Sequence, residues 1–291
     1  MPELPEVQTT VNGLNSKVLK RAFVDVWTDW SKLVKKPKDF KQFEREIKNK
    51  KIIKVWRRAK NIIFDLSEGY SLLVHLKMTG HLLVGKWKQI EGKWKPIKVG
   101  PLNDPYNRFL HIIFFLDDKN MLALSDARKF AKLELWKTKD LLDSSDLKDL
   151  GPEPLDKKFT FEKFKEVFKN KKGKIKQVLM DPKVIAGIGN IYASEILWQV
   201  KIHPQTNVAN IKEKELKLLY QTIIKILELG IKLGGDSFSD YRKVDGSKGN
   251  FHTERKVYSR EEEKCKRCGA EIKRIKIGGR SSFFCSFCQK L

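Results

Sequence analysis

Four cysteines are the residues whose spacing most directly implies chemistry. They form two C-x2-C pairs separated by sixteen residues, and they are Cys265, Cys268, Cys285 and Cys288. This spacing is typical of a zinc site, and four thiolates suit a closed, tetrahedral structural ion. No export signal precedes them, which disfavours two disulfides, although disulfides and four unrelated thiols remain alternatives. The sequence therefore predicts one structural Zn²⁺.

The segment between the two cysteine pairs predicts a β-hairpin. It reads AEIKRIKIGGRSSFF, and Gly278-Gly279 is a dipeptide that favours a two-residue turn. A hairpin this small needs a staple, which the zinc ion would supply. Arg280 follows the turn, so it would lie at the tip of a rigid basic finger.

The amino-terminal segment MPELPEVQ places two prolines and two carboxylates at one end of the chain. Chain ends usually fray and carry no chemistry. In the simplest interpretation Met1 is removed, Pro2 begins a strand, and Glu3 and Glu6 are solvated. The residue types alone leave this interpretation open.

A glycine-containing motif, DPKVIAGIGNIYASEIL, runs from residue 181 to 197. Gly187 and Gly189 permit turns that other residues resist. Asn190 then stands where a helix beginning at Ile191 would expose free backbone amides. Such amides bind phosphate well, although an ordinary turn between two helices has the same pattern.

Composition indicates a polyanionic partner. The chain has 60 Lys and Arg against 36 Asp and Glu, a net charge of +24 over 291 residues. A phosphate backbone suits such a surface, although a generally lysine-rich organism would produce the same excess. No apolar run reaches the length of a membrane span, and the amino end lacks a signal peptide pattern. We therefore expect an intracellular protein, cytoplasmic or associated with the nucleoid.

Two kinds of hydrophobic pattern divide the chain. Up to about residue 135 the apolar segments are short and separated by turn residues, which favours a sandwich or a barrel. Leu4 to Val18 has helical spacing instead, and Lys86 to Asn107 is a polar stretch that we interpret as an extended hairpin or a loop insertion. After about Lys137 a polar, acidic stretch closed by Gly151, Pro152 and Pro154 indicates a linker, and beyond it the spacing is helical until the finger. The expected domains are residues 1–136, a linker 137–156, a helical domain 157–250 and a finger 251–291.

Taken together, these motifs resemble the formamidopyrimidine-DNA glycosylase family, Fpg. The resemblance rests on MPELPEV, AGIGNIYASEIL and the finger with GGRSSFFC, and further matches are RRAKNIIF, VHLKMTGHL, DARKF, GGDSFSDYRKVDG and VYSREEEKCKRCG. It extends over nearly the whole chain. It implies a multidomain α+β fold with an N-terminal antiparallel β-sandwich and flanking helices, a helix-two-turns-helix domain and a zinc-finger β-hairpin.

The resemblance implies a bifunctional glycosylase and lyase of base excision repair that acts on damaged double-stranded DNA. Such an enzyme removes oxidised purines, namely 8-oxoguanine and formamidopyrimidines, preferably opposite cytosine. It then cuts the strand on both sides of the lesion by β- and δ-elimination. The target must first be flipped out of the base stack. We expect a monomer, because asymmetric duplex damage needs no two-fold symmetry.

By the same resemblance, the amino-terminal segment is the catalytic centre. After removal of Met1, the secondary amine of Pro2 would attack the anomeric carbon and form a Schiff base. Glu3 would be general acid and base, and Glu6 a structural or proton-handling partner. With a pKa of about 7.9, roughly a tenth of an α-amino group is unprotonated at pH 7, against about 0.04% of a lysine. Lys60 completes the catalytic set.

The resemblance also assigns DNA contacts. Met78, Arg128 and Phe130 match the three side chains that fill the hole left by a flipped nucleotide. The residues that match phosphate contacts are Lys60, His75, Lys176, Asn190 and Arg280. The polar loop from Gly234 to Phe251 corresponds to the segment that closes over the flipped base.

Residue type alone gives simpler interpretations for several of these contacts. Met78 and Phe130 suit core packing. His75 suits a hydrogen-bonded strand histidine, and Lys60 a solvated lysine. Only the matched context raises them to functional candidates.

The chain departs from the usual family pattern in three places. DARKFA carries Ala127, Lys129 and Ala131 where the family commonly has DPRRFG. Asn250 stands where a tyrosine is common, and Phe109 where family members often have a histidine. These departures affect expected DNA contacts and leave the proposed chemistry untouched.

Two alternative functions remain at this stage. One is an endonuclease VIII-like enzyme that removes oxidised pyrimidines; Leu4, where that branch more often has glycine, argues against it. The other is a non-catalytic protein that binds damaged DNA, which the intact Pro2, Glu3 and Lys60 argue against.

Overall fold

The computed structural model describes all residues, 1–291, and divides the chain into two units. One unit comprises Met1–Lys148 with Leu233–His252, and the other comprises Asp149–Lys232 with Thr253–Leu291. The sequence assigned residues 157–250 to a single helical domain, but the stretch after residue 232 packs on the first unit. Hydrogen bonds from Asp236 and Tyr241 to Glu6 account for this difference, because they hold that stretch against the amino-terminal helix.

The first unit contains two helices, α1 (Leu4–Lys17) and α2 (Phe40–Ile47), and eleven strands. The strands are β1 (Phe23–Thr28), β2 (Val34–Lys36), β3 (Ile52–Arg58), β4 (Asn61–Leu66), β5 (Tyr70–His75), β6 (His81–Gly85), β7 (Trp87–Ile90), β8 (Lys93–Pro96), β9 (Leu110–Leu116), β10 (Met121–Ser125) and β11 (Lys132–Lys137).

Two sheets form a sandwich in this unit. Their strand orders are β1-β9-β10-β6 and β2-β11-β5-β4-β3. All neighbours pair antiparallel except the short strand β2, which runs parallel to β11. The predicted antiparallel sandwich is therefore confirmed, with one parallel pair at an edge.

Helix α1 closes one side of the sandwich core. The predicted apolar positions Val7, Val11, Leu14 and Val18 are all buried in the same cluster as residues of both sheets. Their steps of three and four residues place them on one face of the helix. The sequence-predicted helix from Leu4 to Val18 is confirmed to within one residue.

The polar insertion covers the second face of the four-stranded sheet. Trp87 of the hairpin β7-β8 packs with Leu83, Ile113 and Ala123 of the sheet. The alternate residues of β6, β9 and β10 face the sandwich core instead. Trp94 joins this second cluster at its margin. A sheet buried on both faces needs continuous apolar strands, which explains the sequence LHIIFFL of β9. The predicted hairpin is confirmed, and its packing gives the insertion a structural role.

The second unit is helical, with a two-stranded hairpin. Its elements are α3 (Phe161–Lys169), α4 (Ile175–Met180), α5 (Asn190–Val200), α6 (Glu213–Lys232), β12 (Ile272–Ile277) and β13 (Arg280–Cys285). Thr160 is the N-cap residue of α3, and Glu162 lies in its first turn. None of the helices combines the length and the apolar character needed to cross a membrane.

The turn before α5 differs in detail from the expectation. Gly187 has φ +90°, a conformation that favours glycine, as predicted. Gly189 has φ −133° and ψ −155°, an extended conformation that other residues also adopt, so the prediction for Gly189 was wrong. Gly189 is the N-cap residue, and α5 begins at Asn190, one residue earlier than expected.

The carboxy-terminal hairpin has the predicted turn. Ile277 pairs with Arg280, which leaves Gly278 and Gly279 as a two-residue connection. Both glycines have positive φ, +54° and +76°. A type I′ turn needs this conformation at both central positions.

We predict that Trp87→Ala destabilises the first unit. Trp87 is 2% exposed, and its removal opens a cavity between the hairpin and the sheet, so the free energy of unfolding falls by about 3–5 kcal/mol. Urea unfolding followed by circular dichroism measures this loss. Val99→Ala is the matched control, because Val99 is 98% exposed and its truncation changes the stability by about 0.5 kcal/mol or less. Equal stability of the two variants would show that the hairpin does not cover the sheet.

Candidate active site and nucleic-acid interface

The carboxylate of Glu6 fixes the start of the chain. Glu6 is 1% exposed, and its Oε2 accepts the backbone N–H of Glu3 at 2.8 Å. Pro2 and Glu3 are buried as well. The solvated interpretation of these carboxylates is therefore wrong: the segment is held in one conformation at the beginning of α1.

The direction of α1 brings this segment towards Lys60. Gln8 accepts a hydrogen bond from Arg57 Nε at 3.0 Å, and Asn15 bonds the backbone of Val55 farther along the helix. The first turn of α1 therefore points towards the end of β3. There, Arg58 pairs with Asn61, so Lys60 lies in the tight turn between β3 and β4.

Strand register gathers further candidates at the same end of the five-stranded sheet. Asn61 at the start of β4 pairs with His75 at the end of β5, and His75 pairs with Lys132 at the start of β11. Lys60 precedes Asn61, and the segment before Lys132 carries Phe130. The sequence-predicted residues of this unit thus converge although they are far apart in the chain.

His75 is held as a neutral ring. Burial and the positive charge of Lys77 lower the pKa of His75 to about 3, and the charges of Lys132 and Lys60 act in the same direction. Its Nδ1 accepts the backbone N–H of Lys77 at 3.0 Å, so the neutral ring carries its proton on Nε2. Nε2 can then donate one hydrogen bond to an anion while the ring stays uncharged.

Buried Asp126 organises the loop that precedes β11. Its Oδ2 accepts the N–H groups of Phe130 and Ala131, both at 2.7 Å. Its Oδ1 accepts the N–H of Arg128 at 3.3 Å and the hydroxyl of Thr79. Sequence reasoning missed Asp126 and Thr79; an aspartate two residues before the arginine is the available signal, since such aspartates bond nearby backbone.

Thr79 ties the two loops that carry the predicted wedge residues. It follows Met78, and its hydroxyl also accepts the N–H of Arg128 at 3.1 Å. Met78 is 40% exposed and Phe130 is 51% exposed, which excludes the core-packing interpretation. The Arg128 guanidinium lies 4.5 Å from the Phe130 ring. An apolar side chain, a cation and an aromatic ring are thus presented to solvent by one pair of linked loops.

The loop from residue 234 to 251 is fastened to the first turn of α1. Asp236 N–H donates to Glu6 Oε1 at 2.8 Å, and the Tyr241 hydroxyl donates to the Glu6 carbonyl at 3.1 Å. Gly235 has φ +81°, and a Cβ there would lie 2.9 Å from Glu6 Cγ and from the Tyr241 ring. Burial and the charge of Glu6 raise the pKa of Tyr241, so its hydroxyl keeps its proton.

In the second unit, Lys176 and Asn190 lie together at the start of α5. Lys176 is 2% exposed, and its Nζ donates to Ser194 Oγ at 2.6 Å and lies 3.5 Å from the Asn190 carbonyl. The first amides of a helix have no partner within the helix. A buried cation and the amino-terminal end of a helix therefore meet here, which is an arrangement suited to phosphate.

The finger tip packs on the helix that carries Lys176. A Cβ on Gly278 would lie 2.7 Å from Nε2 of Gln177 in α4. Arg280, two residues farther, is exposed at the start of β13. Arg280 therefore lies two residues from the contact between the finger tip and α4, the helix that contains Lys176.

The four cysteines fit a tetrahedral zinc ion. Their Sγ atoms all lie within 4.8 Å of one another, and zinc–sulfur bonds of about 2.3 Å imply sulfur–sulfur distances of about 3.8 Å. Cys268 and Cys285 Sγ are 3.4 Å apart, too far for a disulfide. All four would ligate one structural Zn²⁺, which would fix both ends of the hairpin.

Two residues of α5 that sequence reasoning missed hold the finger. Buried Glu195 accepts the backbone N–H groups of Lys256, Val257 and Tyr258 at 2.8–3.0 Å. Burial raises the pKa of Glu195, and these three amides oppose that rise. Trp198 Nε1 donates to Cys265 Sγ at 3.4 Å. A glutamate within an apolar helix is the only signal of this contact in the sequence.

Comparison with known proteins assigns the family. Three family models match successive parts of the chain: the formamidopyrimidine-DNA glycosylase N-terminal domain over residues 1–133, the H2TH domain of the same glycosylase over 150–242, and the zinc finger found in FPG and IleRS over 262–291. The formamidopyrimidine-DNA glycosylase of Pelotomaculum thermopropionicum is 37% identical over 291 residues, which cover 100% of both chains. The chain belongs to the formamidopyrimidine-DNA glycosylase family. It is a DNA glycosylase of the Fpg type, and its zinc finger confirms the predicted structural zinc.

Solved structures agree with this assignment. The Lactococcus lactis Fpg bound to DNA with an abasic site has a TM-score of 0.86 and 34% identity, covering 99% of this chain and 100% of that chain. MutM bound to DNA with carbocyclic 8-oxo-G has a TM-score of 0.85 and 34% identity, covering 100% of both chains. The predicted Fpg fold class is confirmed.

We predict that the His75 ring does not titrate between pH 5 and 8 in the folded protein and carries its proton on Nε2. NMR of the ring carbon and nitrogen nuclei measures both properties. In urea the same ring titrates near its ordinary value of about 6.5. Because the pKa is lower in the folded state, the unfolded state binds this proton first, and the contribution of His75 to stability falls as the pH drops below about 6.5. A folded-state pKa near 6.5 would contradict the prediction.

Proposed function

We propose that the chain is a bifunctional DNA glycosylase and AP lyase that removes oxidised purines from duplex DNA. Its substrates are 8-oxoguanine and formamidopyrimidines, preferably opposite cytosine. After base removal it cuts the strand by β- and δ-elimination. It acts as a monomer in base excision repair.

One observation carries this proposal. The buried Glu6 carboxylate holds the backbone of Glu3 through one oxygen and the backbone of Asp236 through the other. The backbone next to Pro2 and the loop 234–251 are thereby kept in one place. A terminal amine that reacts needs such a fixed position, because a nucleophile gains most of its rate from orientation.

The reaction assigned to Pro2 and Glu3 has a glycosylase stage followed by a lyase stage. The Pro2 nitrogen, an amine once Met1 is removed, bonds to C1′ of the lesion as the glycosidic C–N bond breaks, and the nucleobase leaves with the proton that this nitrogen gives up. Glu3 protonates the sugar ring oxygen, so the ring opens and an iminium forms at C1′. Glu3, now a carboxylate, then takes the proton from C2′, and the bond from C3′ to its phosphate oxygen breaks. A second elimination releases the 5′ phosphate. Glu6 has a structural role, because its carboxylate accepts the backbone amides of Glu3 and Asp236.

The interface residues have matching roles in DNA binding. Met78, Arg128 and Phe130 fill the space of the flipped nucleotide. The Met78 thioether wedges between bases, the Arg128 guanidinium hydrogen-bonds the orphaned base, and the Phe130 ring stacks on a base. Their exposure and their linked loops support this role. The proposed phosphate contacts are Lys60, His75, Lys176, Asn190 and Arg280. His75 contributes a neutral N–H donor, and the lysines around it supply the positive potential.

The substrate class follows from the relatives as well. Similar structures hold DNA that contains carbocyclic 8-oxo-G or an abasic site, and others hold DNA that contains Fapy-dG. These lesions are the substrates and the first product of the proposed reaction. We extend that specificity to this chain.

We predict that borohydride traps a covalent adduct between the protein and a duplex with 8-oxoguanine opposite cytosine. The adduct disappears in Pro2→Gly, because a Schiff base with the Pro2 amine is the species that borohydride reduces. Pro5→Ala is the matched control: it changes a proline of the same segment that bears no terminal amine, and it retains trapping. Trapping only on 5-hydroxyuracil would favour the endonuclease VIII-like alternative, and binding without any adduct would disprove the amine mechanism.

We predict that Gly235→Ala lowers the single-turnover rate of base excision at least about tenfold, because the added methyl pushes against Glu6 and a small misplacement of a catalytic group is costly. Gly234→Ala is the control. It has a similar φ of +75°, and its added methyl meets the flexible Lys243 side chain at 3.2 Å and Gly249 Cα at 3.6 Å, an ordinary van der Waals distance. Equal rates for the two variants would show that the Gly235 contact with Glu6 does not matter for catalysis.

A further inference from the structure

The insertion between β6 and β9 covers a sheet, and its carboxy-terminal end also binds the loop 234–251. Arg242 of this loop is 1% exposed. Its Nε lies 3.0 Å from Oδ2 of Asp104, which belongs to the insertion. A charge buried this deeply needs a partner of opposite sign. The loop is therefore bound to the insertion by an ion pair.

The guanidinium of Arg242 also shapes the loop itself. Its Nη1 donates to the carbonyl oxygens of Ser239 at 2.6 Å and Tyr241 at 2.8 Å. Its Cζ lies 4.6 Å from the ring of Tyr106 in the insertion. Burial raises the pKa of Asp104, but the Arg242 guanidinium and the Tyr106 amide outweigh it, so the pKa of Asp104 lies below its ordinary value. One arginine thus bonds two carbonyls of the loop and contacts two residues of the insertion.

A second contact lies four residues farther along the loop. Asn107 Nδ2 donates to the Gly246 carbonyl at 3.1 Å and to the Pro101 carbonyl at 2.9 Å, while its Oδ1 lies 2.9 Å from His81 Nε2. Gly246 has φ +85°, and a Cβ there would lie 2.8 Å from the Leu102 nitrogen. The two backbones therefore touch, and the loop has no room to shift along the insertion.

The loop is consequently held from two sides. Asp236 donates to Glu6 in α1, whereas Arg242 and Gly246 bind the insertion. Between the two attachments lies Phe238, which is 66% exposed. An exposed aromatic ring between two fixed points is suited to contact a planar ligand.

We propose that Asp104 and Arg242 are positioning residues for base recognition: their ion pair fixes the loop 234–251 so that its exposed segment meets the base being excised. This inference rests on the proposed function and on the expected correspondence of that loop with the segment that closes over the flipped base. Buried ion pairs contribute more to a single geometry than to stability in some proteins, and a geometric role fits a pair placed beside a substrate-binding loop. The insertion thus belongs to the recognition apparatus.

Asp104→Asn tests this role with little other change. Oδ1 of Asp104 accepts the N–H of Tyr106 at 3.0 Å, and an asparagine keeps that acceptor. The new amide group replaces Oδ2 and turns a donor towards the guanidinium. Asp118→Asn is the matched control, because it weakens a more exposed pair with Arg21 in the same unit, at 3.4 Å.

Two substrates distinguish a positioning role of Asp104 from a general loss of activity in the variant. We expect Asp104→Asn to slow single-turnover excision of 8-oxoguanine by between about ten- and a hundredfold, and to leave cleavage of a duplex with a preformed abasic site within about twofold of the wild-type rate. The abasic duplex has no base for the loop to hold. Asp118→Asn matches the wild type on both. Equal losses on the two substrates, or no loss on either, would overturn the inference.

A double-mutant cycle tests whether Asp104 acts through Arg242. In an Arg242→Met background, Asp104→Asn is expected to cause no further loss of excision, because the interaction has already been removed. A further loss as large as that in the wild-type background would mean that Asp104 acts on its own, which contradicts the proposed pair.

Hydrogen exchange of the free protein distinguishes a failure of the inference from a failure of the proposed function. If the pair anchors the loop, amides of residues 235–246 exchange at least about tenfold faster in Asp104→Asn than in Asp118→Asn. Unchanged exchange would overturn the anchor whatever the enzyme does. Faster exchange in a protein whose wild type traps no lesion would uphold the anchor and reject the substrate.

Discussion

A single buried carboxylate, that of Glu6, imposes the geometry of the amino-terminal site. A buried carboxylate is costly unless its oxygens accept hydrogen bonds, and Glu6 meets this requirement with backbone amides from two distant parts of the chain. Amides have no rotamers, so the contacts leave little freedom. The start of α1 and the loop 234–251 must therefore fold together, and the assignment of residues 233–252 to the first unit follows from the same contact.

The constraint extends from Glu6 to the sandwich. Helix α1 packs its apolar stripe on the core that both sheets share, and its hydrogen bonds to β3 set its direction. The tight turn after β3 and the register of β4, β5 and β11 then place Lys60 and His75 at the same end of the sheet. Core packing, strand register and backbone hydrogen bonds thus act on one small region.

Local patterns in the sequence predicted most elements of the fold. Helix α1, the apolar strands, the turn at Gly278-Gly279 and the zinc cluster each depend on residues close together in the chain, and each was confirmed. The family motifs located the candidate site residues. What local patterns missed are contacts between distant segments: Asp126 with Thr79, Glu195 with the finger, and Asp104 with Arg242. Their residue types occur on any surface, and only the fold shows that they are buried together.

The attachment of the finger to α5 has a thermodynamic consequence for DNA binding. Glu195 and Trp198 fasten the zinc cluster to the same helix whose first residue is Asn190, and the hairpin tip rests on α4. Because α5 is one continuous helix of eleven residues, it fixes the position of Asn190 relative to the finger. The second unit thus holds the elements that carry its proposed phosphate contacts in fixed positions before DNA binds. Association then costs little conformational entropy for the finger, and more of the contact energy remains as affinity.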